Sequence, residues 1–508
     1  MNFYRYFRKK LLGKSHTEKE WQHTGWLPHH WNEDTIHALF GSSADITVEI
    51  YQFGIDQQIK TILFYCEGMA DIKQVNEFVL PQLNSMLYKS EQIDDYFLSN
   101  PLLQLNVIQN GQDLLHHLYD GNLVIVFEKE QKLFSADVSN IPHRTPEESN
   151  TEVSIKGPRD GFTEQLSDNI ALIRKRLKTP SLHHEQFRVG RRSQTKVSLL
   201  YLYDVARPEV IAEVRHRINK LDLDGLLSNE QLEEALSDYS HSLFPLFDYI
   251  GRPDYASASL LRGRFVILID GSPMAIIAPT NLTSLLKSPE DIHLPFYYVA
   301  LERFFRLIGI TVSILAPGLW VALTAYDIDQ MPFQLLATVS SSRIGIPLSS
   351  PMEAFLMLGL FEIFREAGVR LPKAVGETVT VVGGLIVGDA AIRAGITSPT
   401  MLFVAAITAV ATFTLVNQSL SGTVSVIRFF VLICSSFLGM YGFCLALITL
   451  VTYLSRLESF GLPYLSPLSP LSPRDLLAGL LIKPRDNVKK RPSMLHTLDS
   501  TRKKGDSS

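Results

Sequence analysis

Along residues 376–394, Glu377, Thr380, Gly384, Gly388 and Ala391 recur at three- and four-residue intervals, so on a helix they share one face. That face is small and polar and opens with a carboxylate. Asp389 and Arg393 lie four apart on an adjacent face, where they can pair. Upstream, a short apolar stretch, Glu353–Phe364, carries Glu353 and Glu362, with Arg365, Glu366 and Arg370 just beyond. These residue types offer fixed charge in an apolar setting rather than a nucleophile beside a base. Two uses follow. Small residues let helices approach closely, and Gly384-x-x-x-Gly388 is such a pattern. Alternatively, the face becomes the water-lined wall of a pore when several copies assemble in a ring. Ionisable groups among apolar residues are costly, so each demands a role. Glu353, Glu362, Asp389 and Arg393 are therefore candidate gating or coupling charges.

Other chemistry is scarce. Gly157-Pro-Arg-Asp-Gly161 lacks the spacing and the Lys-Ser/Thr of a phosphate loop. The pairs His29-His30, His116-His117 and His183-His184 have no third ligand at metal-binding spacing and read as surface residues. Arg188, Arg191, Arg192 and Lys196 could meet phosphate or lipid but read first as a solvated face or subunit contact; Phe187 stands alone among them, without the aromatic interleaving of a nucleic-acid platform. Cys66, Cys434 and Cys444 form no CxxC pair, and Cys434 and Cys444, in an apolar span, read as packing thiols. The chain reads as no enzyme, with no cofactor, no metal site and no nucleic-acid partner.

The elements that must carry the polar face follow from how charge is distributed. The chain has 508 residues and a net charge of −4, but residues 307–454 hold only 13 charges in 148 positions. Residues 455–508 hold ten bases and five acids. A charge-poor stretch of that length predicts a membrane region. Leu307–Tyr326 is twenty residues without a charge, long enough to cross a ~30 Å hydrocarbon layer at ~1.5 Å per residue. Further helices are expected over 376–394, 400–416 and 429–454, with Glu353–Phe364 interfacial or re-entrant and Arg428 snorkelling to the head groups. The amino terminus, Met1–Lys10, is basic but lacks the apolar core of a secretion signal, so the first half is expected in the cytoplasm. Tail bases favour the same side, which requires an even number of crossings.

The first half repeats itself. Ile62–Asp71 and Val197–Ala206 both read as a buried strand and a turn, followed by amphipathic helices over Ile72–Leu80 and Pro208–Ile218, with Tyr65 matching Tyr201 at an offset of 136. Gly121–Phe127 pairs with Gly263–Ile269 at an offset of 142. The expected architecture is an α/β soluble region of two related subdomains followed by an α-helical integral membrane domain of about four spans plus one interfacial or re-entrant helix. Its expected divisions are an extension over 1–40, subdomains over 41–135 and 161–290 joined by a linker over 136–160, a transmembrane domain over 291–455, and a basic tail over 456–508.

Long segments carry a family resemblance: Gly157–Glu164, Ile170–Thr179, Val189–Val197, Leu221–Gly225, Gly263–Pro273, Leu315–Thr324, Arg370–Lys373 and Ser459–Leu468. On these the chain resembles the A subunit of the GerA-type spore germination receptors. The resemblance implies a receptor component of the endospore inner membrane, working with a transporter-like B subunit and a lipoprotein C subunit. It also implies a homo-oligomer in contact with membrane lipid that conducts monovalent cations, with germinant bound chiefly by the B subunit. A ring of Glu377 carboxylates at the mouth would then favour cations. Two other classes stand beside it, a non-conducting scaffold and a secondary transporter. The second usually has two related transmembrane halves, whereas the repeat here is in the soluble part.

Overall fold

In a computed structural model of the chain, the residues described are 28, 30–54, 59–89, 103–140, 156–370, 386–472, 475 and 490–502. They form two compact units. One comprises residues 1–237, 249–279 and 489–508, the other residues 238–248 and 280–488.

The first unit contains two sheets of the same topology. In the first, strands β1 (Ile46–Phe53), β2 (Ile59–Cys66), β3 (Leu105–Val107), β4 (Leu123–Phe127) and β5 (Lys132–Ala136) are ordered β1-β2-β4-β5-β3. In the second, β6 (Leu182–Val189), β7 (Thr195–Leu202), β8 (Asp248–Ile250), β9 (Phe265–Ile269) and β10 (Ala275–Ala278) are ordered β6-β7-β9-β10-β8. Strands β6 and β7 start 136 residues after β1 and β2 (46 to 182, 59 to 195), and β9 starts 142 after β4 (123 to 265). The repeat extends to side chains. The hydroxyl of Tyr65 donates to Glu49 Oε1 at 3.3 Å, and that of Tyr201, 136 residues on, donates to Glu185 Oε1 at 2.6 Å.

Helices cover both faces of the first sheet, which is why β2 and β4 read as unbroken apolar runs. Ile62 and Phe64 pack with α1 (Glu33–Phe40), while Leu63 and Tyr65 pack on the opposite face against α2, over residues 72–89. Helix α3 (Gly111–Tyr119) joins the first of these layers through Leu114 and Leu118. The two repeats meet at a buried ion pair. Arg174, on α4 (Leu166–Arg176), donates from Nε and from Nη2 to the two oxygens of Asp45, at 2.8 and 2.7 Å. Its guanidinium also lies 5.0 Å from the centre of the Tyr119 ring. Burial raises the Asp45 carboxyl, but the Arg174 charge and the neighbouring His184 outweigh it and hold it well below the carboxylate range.

This junction corrects one expectation. His183 and His184 are buried, not on the surface. His184 Nε2 lies 2.9 Å from Ser198 Oγ, and its Nδ1 faces Asp45 at 3.4 Å. His183 stacks on Tyr203 with ring centres 4.9 Å apart. The basic face is solvated as expected, with Arg191 bonded to Asp222 and Arg192 to Asp224.

The second unit is helical: α8 (Phe296–Ala325), α9 (Phe333–Ser342), α10 (Ser350–Arg370), a helix α11 over 386–393, α12 (Pro399–Phe413) and α13 (Gln418–Arg456). In chain order these are preceded by α5 (Pro208–Lys220), α6 (Asn229–Leu236) and α7 (Pro253–Leu260) of the first unit. Among the described residues two helices are long and apolar enough to cross a membrane, Phe296–Ala325 and Ser419–Arg456.

Helix α13 is not one rod. Gly439 has φ 61° and ψ −139°, outside helical geometry. Thr423 Oγ1 donates to the carbonyl of Leu243 at 2.6 Å, while the amide of the same Leu243 donates to Tyr453 Oη at 2.9 Å. In a straight helix those two residues would stand ~45 Å apart. The chain therefore reverses at Gly439, and the arms 418–438 and 440–456 return to the same end. A side chain on Gly442 would collide with the backbone of Cys434, which is what a tight reversal requires.

Five expectations change here. The last helix starts at Gln418 rather than 429, because Asn417 caps it, its Oδ1 accepting from the Ser419 amide at 3.0 Å. Arg428 is thereby carried into the bundle instead of snorkelling and is 4% exposed. The stretch Glu353–Phe364 belongs to the 21-residue α10. That helix meets Thr324, at the end of α8, through Ser350 and meets Ser421, at the start of α13, through Arg365, so it runs the length of the bundle. Cys444 is exposed rather than packed. The residues read as one tail are divided. A short hairpin, β11 (Glu458–Ser459) with β12 (Leu462–Pro463), belongs to the helical unit, while residues 490–502 belong to the α/β unit.

Candidate functional site

The charged and small residues singled out in the sequence fall in the helical unit. Glu377, Thr380 and Gly384 lie outside the described residues. Gly388 faces α12: a Cβ there would sit 3.3 Å from both Leu402 Cδ atoms. Ala391 is buried among Ala354, Met357, Met401 and Ala405. Both residues are thus turned onto the same chain's α10 and α12, as close helix packing demands. Asp389 and Arg393 pair across one turn, Nε to Oδ2 at 2.8 Å, and both are exposed.

Glu353 is 1% exposed, and its hydrogen bonds are all made through one oxygen. Its Oε2 accepts from the amide and hydroxyl of Ser398 at 3.1 and 2.8 Å, and Arg343 approaches its other oxygen at 3.4 Å. Ser398 in turn caps α12, its Oγ accepting from the Met401 amide at 3.2 Å. One carboxylate thus ties the first turn of α10 to that of α12. Glu362 pairs with Arg365 one turn on, and Ser425 Oγ donates to it at 3.4 Å.

Sequence reading missed two groups. Arg428 Nε donates to the Ser313 carbonyl at 2.9 Å and its Nη2 to Thr412 Oγ1 at 2.7 Å, joining α8, α12 and α13. At the reversal, the Tyr326 hydroxyl donates to the Ser436 carbonyl and Asp327 Oδ2 accepts from the Met440 amide at 3.3 Å. These are the backbone groups that an interrupted helix leaves without intrahelical partners. A cavity of about 750 Å3 lies beside Arg428, lined also by Glu362, Arg365, Gly388 and Asp389 among mostly apolar side chains. Where α8 enters the bundle, Arg303 Nε donates to Asp291 Oδ2 at 2.9 Å and Arg306 Nη1 to Asp291 Oδ1 at 3.0 Å, both buried. The arrangement holds fixed charges in an apolar bundle. Among the described residues no group of three His, Cys, Asp or Glu could hold a metal ion.

Comparison with known proteins gives this geometry a context. The sequence model of the family described as "Bacillus/Clostridium GerA spore germination protein" matches residues 34–494. Spore germination protein XA of Bacillus anthracis is 42% identical over 478 residues, 93% of this chain and 97% of that protein. Spore germination protein KA of Bacillus subtilis (strain 168) is 32% identical over 465 residues, 91% of this chain and 86% of that one. GerLA of Bacillus cereus is 32% identical over 471 residues, 92% of this chain and 95% of that one. A crystal structure of the N-terminal domain of the A subunit of the Bacillus megaterium germinant receptor GerK3 aligns at 27% identity with a TM-score of 0.38, covering 48% of this chain and 92% of that one. With a match running from the first α/β repeat to the tail, the chain belongs to the GerA family of spore germination proteins, as one of its A-subunit type.

Proposed function

We propose that the chain is the A subunit of a nutrient germinant receptor whose copies form a ring in the spore inner membrane and pass monovalent cations when germinant binds. The observation that carries the receptor reading is the family match over residues 34–494. In this reading a transporter-like B subunit binds the germinant, a lipoprotein C subunit completes the complex, and the α/β unit faces the spore core. The crossings are α8, α10, the helix over 376–394, α12 and both arms of α13. That number is even and returns the chain to the face it entered. Helix 376–394 lies beside the conduction path, with Glu377, Thr380 and Gly384 as its candidate wall, while Gly388 and Ala391 seat it on α10 and α12. Glu353, Glu362, Asp389 and Arg393 are the charges whose pairing shifts between closed and open states. What favours conduction is the exposed Asp389–Arg393 pair, since a charge pair in an apolar helix is costly where it faces lipid and cheap where it faces water.

A scaffold that couples the receptor to other proteins without conducting is the second reading. It is favoured by Gly388 and Ala391, which pack onto their own bundle. Planar-bilayer recording of the purified receptor separates the two. Cation-selective single-channel steps that appear with germinant, and that Glu377→Lys turns against cations, support the ring. Electrical silence of a receptor that still binds germinant leaves the scaffold.

A further inference from the structure

Each α/β repeat has a slot at the same place, and the two slots are filled differently. In the first repeat the turn after β2 presents the Met69 carbonyl, which accepts from the Asn140 amide at 2.8 Å, and Ala70 bridges to Ser139 in antiparallel fashion. Beside it Gly121, at φ 86°, has no room for a side chain against Met69 and Ser139. The segment filling this slot is the direct continuation of β5.

In the second repeat the position 136 residues after Met69 is Val205, and the glycine 142 after Gly121 is Gly263, at φ 96°. Here the chain cannot fill the slot by continuing, because after β10 it leaves for the helical unit at residue 280. Residues near the carboxyl terminus do it instead. The Leu498 amide donates to the Val205 carbonyl at 3.0 Å, and Thr497 Cγ2 covers Gly263 so closely that a Cβ there would strike it. Arg491 Nε donates to the Leu261 carbonyl at 2.8 Å.

The occupant is itself folded. Lys490 bridges Thr501, and the Arg491 amide donates to the Ser500 carbonyl at 2.8 Å. Arg491 Nη1 donates to the carbonyls of Asp499 and Thr501 at 2.9 and 2.6 Å and pairs with the Asp499 carboxylate at 3.1 Å. Leu495 is buried beneath this turn.

We propose that residues 490–501 are a docked peptide that completes the second α/β repeat, as residues 138–140 complete the first, and that the slot at Val205 and Gly263 is a binding site for this arginine-anchored turn of the same chain. The docking contacts use backbone carbonyls and a glycine, so the site selects a shape and an extended edge more than a side-chain sequence. Its occupant lies wholly within the α/β unit, to which residues 489–508 belong.

Hydrogen–deuterium exchange on the full chain in detergent tests this. The amides of 495–501 should exchange at least ~10-fold more slowly than an unstructured peptide. Gly263→Val and, separately, Arg491→Ala should abolish that protection while β9 amides stay protected. Exchange of 495–501 at the unstructured rate in the unaltered chain overturns the proposal, as does full protection retained in both variants. Arg491→Ala alters only the segment, so it remains informative should Gly263→Val fail to fold. A photocrosslinker at position 497 should react within one chain; product joining two copies would overturn the same-chain occupant.

Discussion

Arg174 and Asp45 are hidden from water, and each satisfies the other in two parallel hydrogen bonds. Removing one partner leaves the other as an uncompensated buried charge. Asp45→Asn should therefore destabilise the α/β unit by about 3–5 kcal/mol, read from denaturant unfolding. The same pair sets a pH dependence. Asp45 holds its proton less tightly folded than unfolded, so its stabilisation is complete above the ordinary carboxylate pKa and is lost as pH falls below it. Thermal unfolding from pH 6 down to pH 3 should fall more steeply for the unaltered chain than for Asp45→Asn. The tyrosine–glutamate pairs give a second test. Tyr201→Phe should cost about 1 kcal/mol and Tyr65→Phe less, since the first bond is 2.6 Å and the second 3.3 Å. Residue-scale features were the least legible in the sequence. His183-His184 carries no periodicity, and the acid that draws His184 inward lies in the other repeat. Arg428 sits between Ile427 and Phe429, as a snorkelling residue would, and its partners Ser313 and Thr412 are remote in the chain.

Strands were more legible than helical turns. Ile62–Cys66 and Val197–Leu202 are apolar runs of strand length, and the turn residues around them repeat, so both sheets could be anticipated without their order. The reversal in α13 could not, because an uncharged stretch has no polar face to mark its direction. Spin labels at positions 423 and 453 should report a distance far below the ~45 Å of a continuous helix. Gly439 holds a backbone conformation that a side chain resists, and a Cβ there would lie 2.9 Å from the Tyr326 ring. Gly439→Ala should accordingly lower the melting temperature of the detergent-solubilised chain, with Tyr326→Phe giving a smaller drop in the same direction. Helix α11 makes the contrasting case. Its spacing revealed the small face, and the structure turns Gly388 onto Leu402, so Gly388→Leu should cost about 1–3 kcal/mol through overpacking. The measurement is thermal unfolding beside Gly388→Ala, which should be milder.

At the scale of the molecule, two antiparallel sheets of one topology precede a helical bundle whose last element doubles back. The duplication was readable from offsets of 136 and 142, but the use of distant carboxyl-terminal residues to finish the second copy was not, since nothing in their composition sets them apart from a basic tail. Engineered cysteines give a check on the whole arrangement. In intact vesicles, positions 240 and 458, both exposed, should react with an impermeant thiol reagent from one side, and position 345 from the other. Labelling of all three from a single side would contradict a bundle whose arms return to their origin. The turn at Gly439 has a practical corollary for anyone probing the far side. A hairpin closed by one glycine, with Tyr326 and Asp327 seated against it, leaves no spare backbone there for a protease to cut, an antibody to grip or an epitope tag to occupy. Reporters belong instead around Gly345, where an added side chain meets nothing within 4 Å.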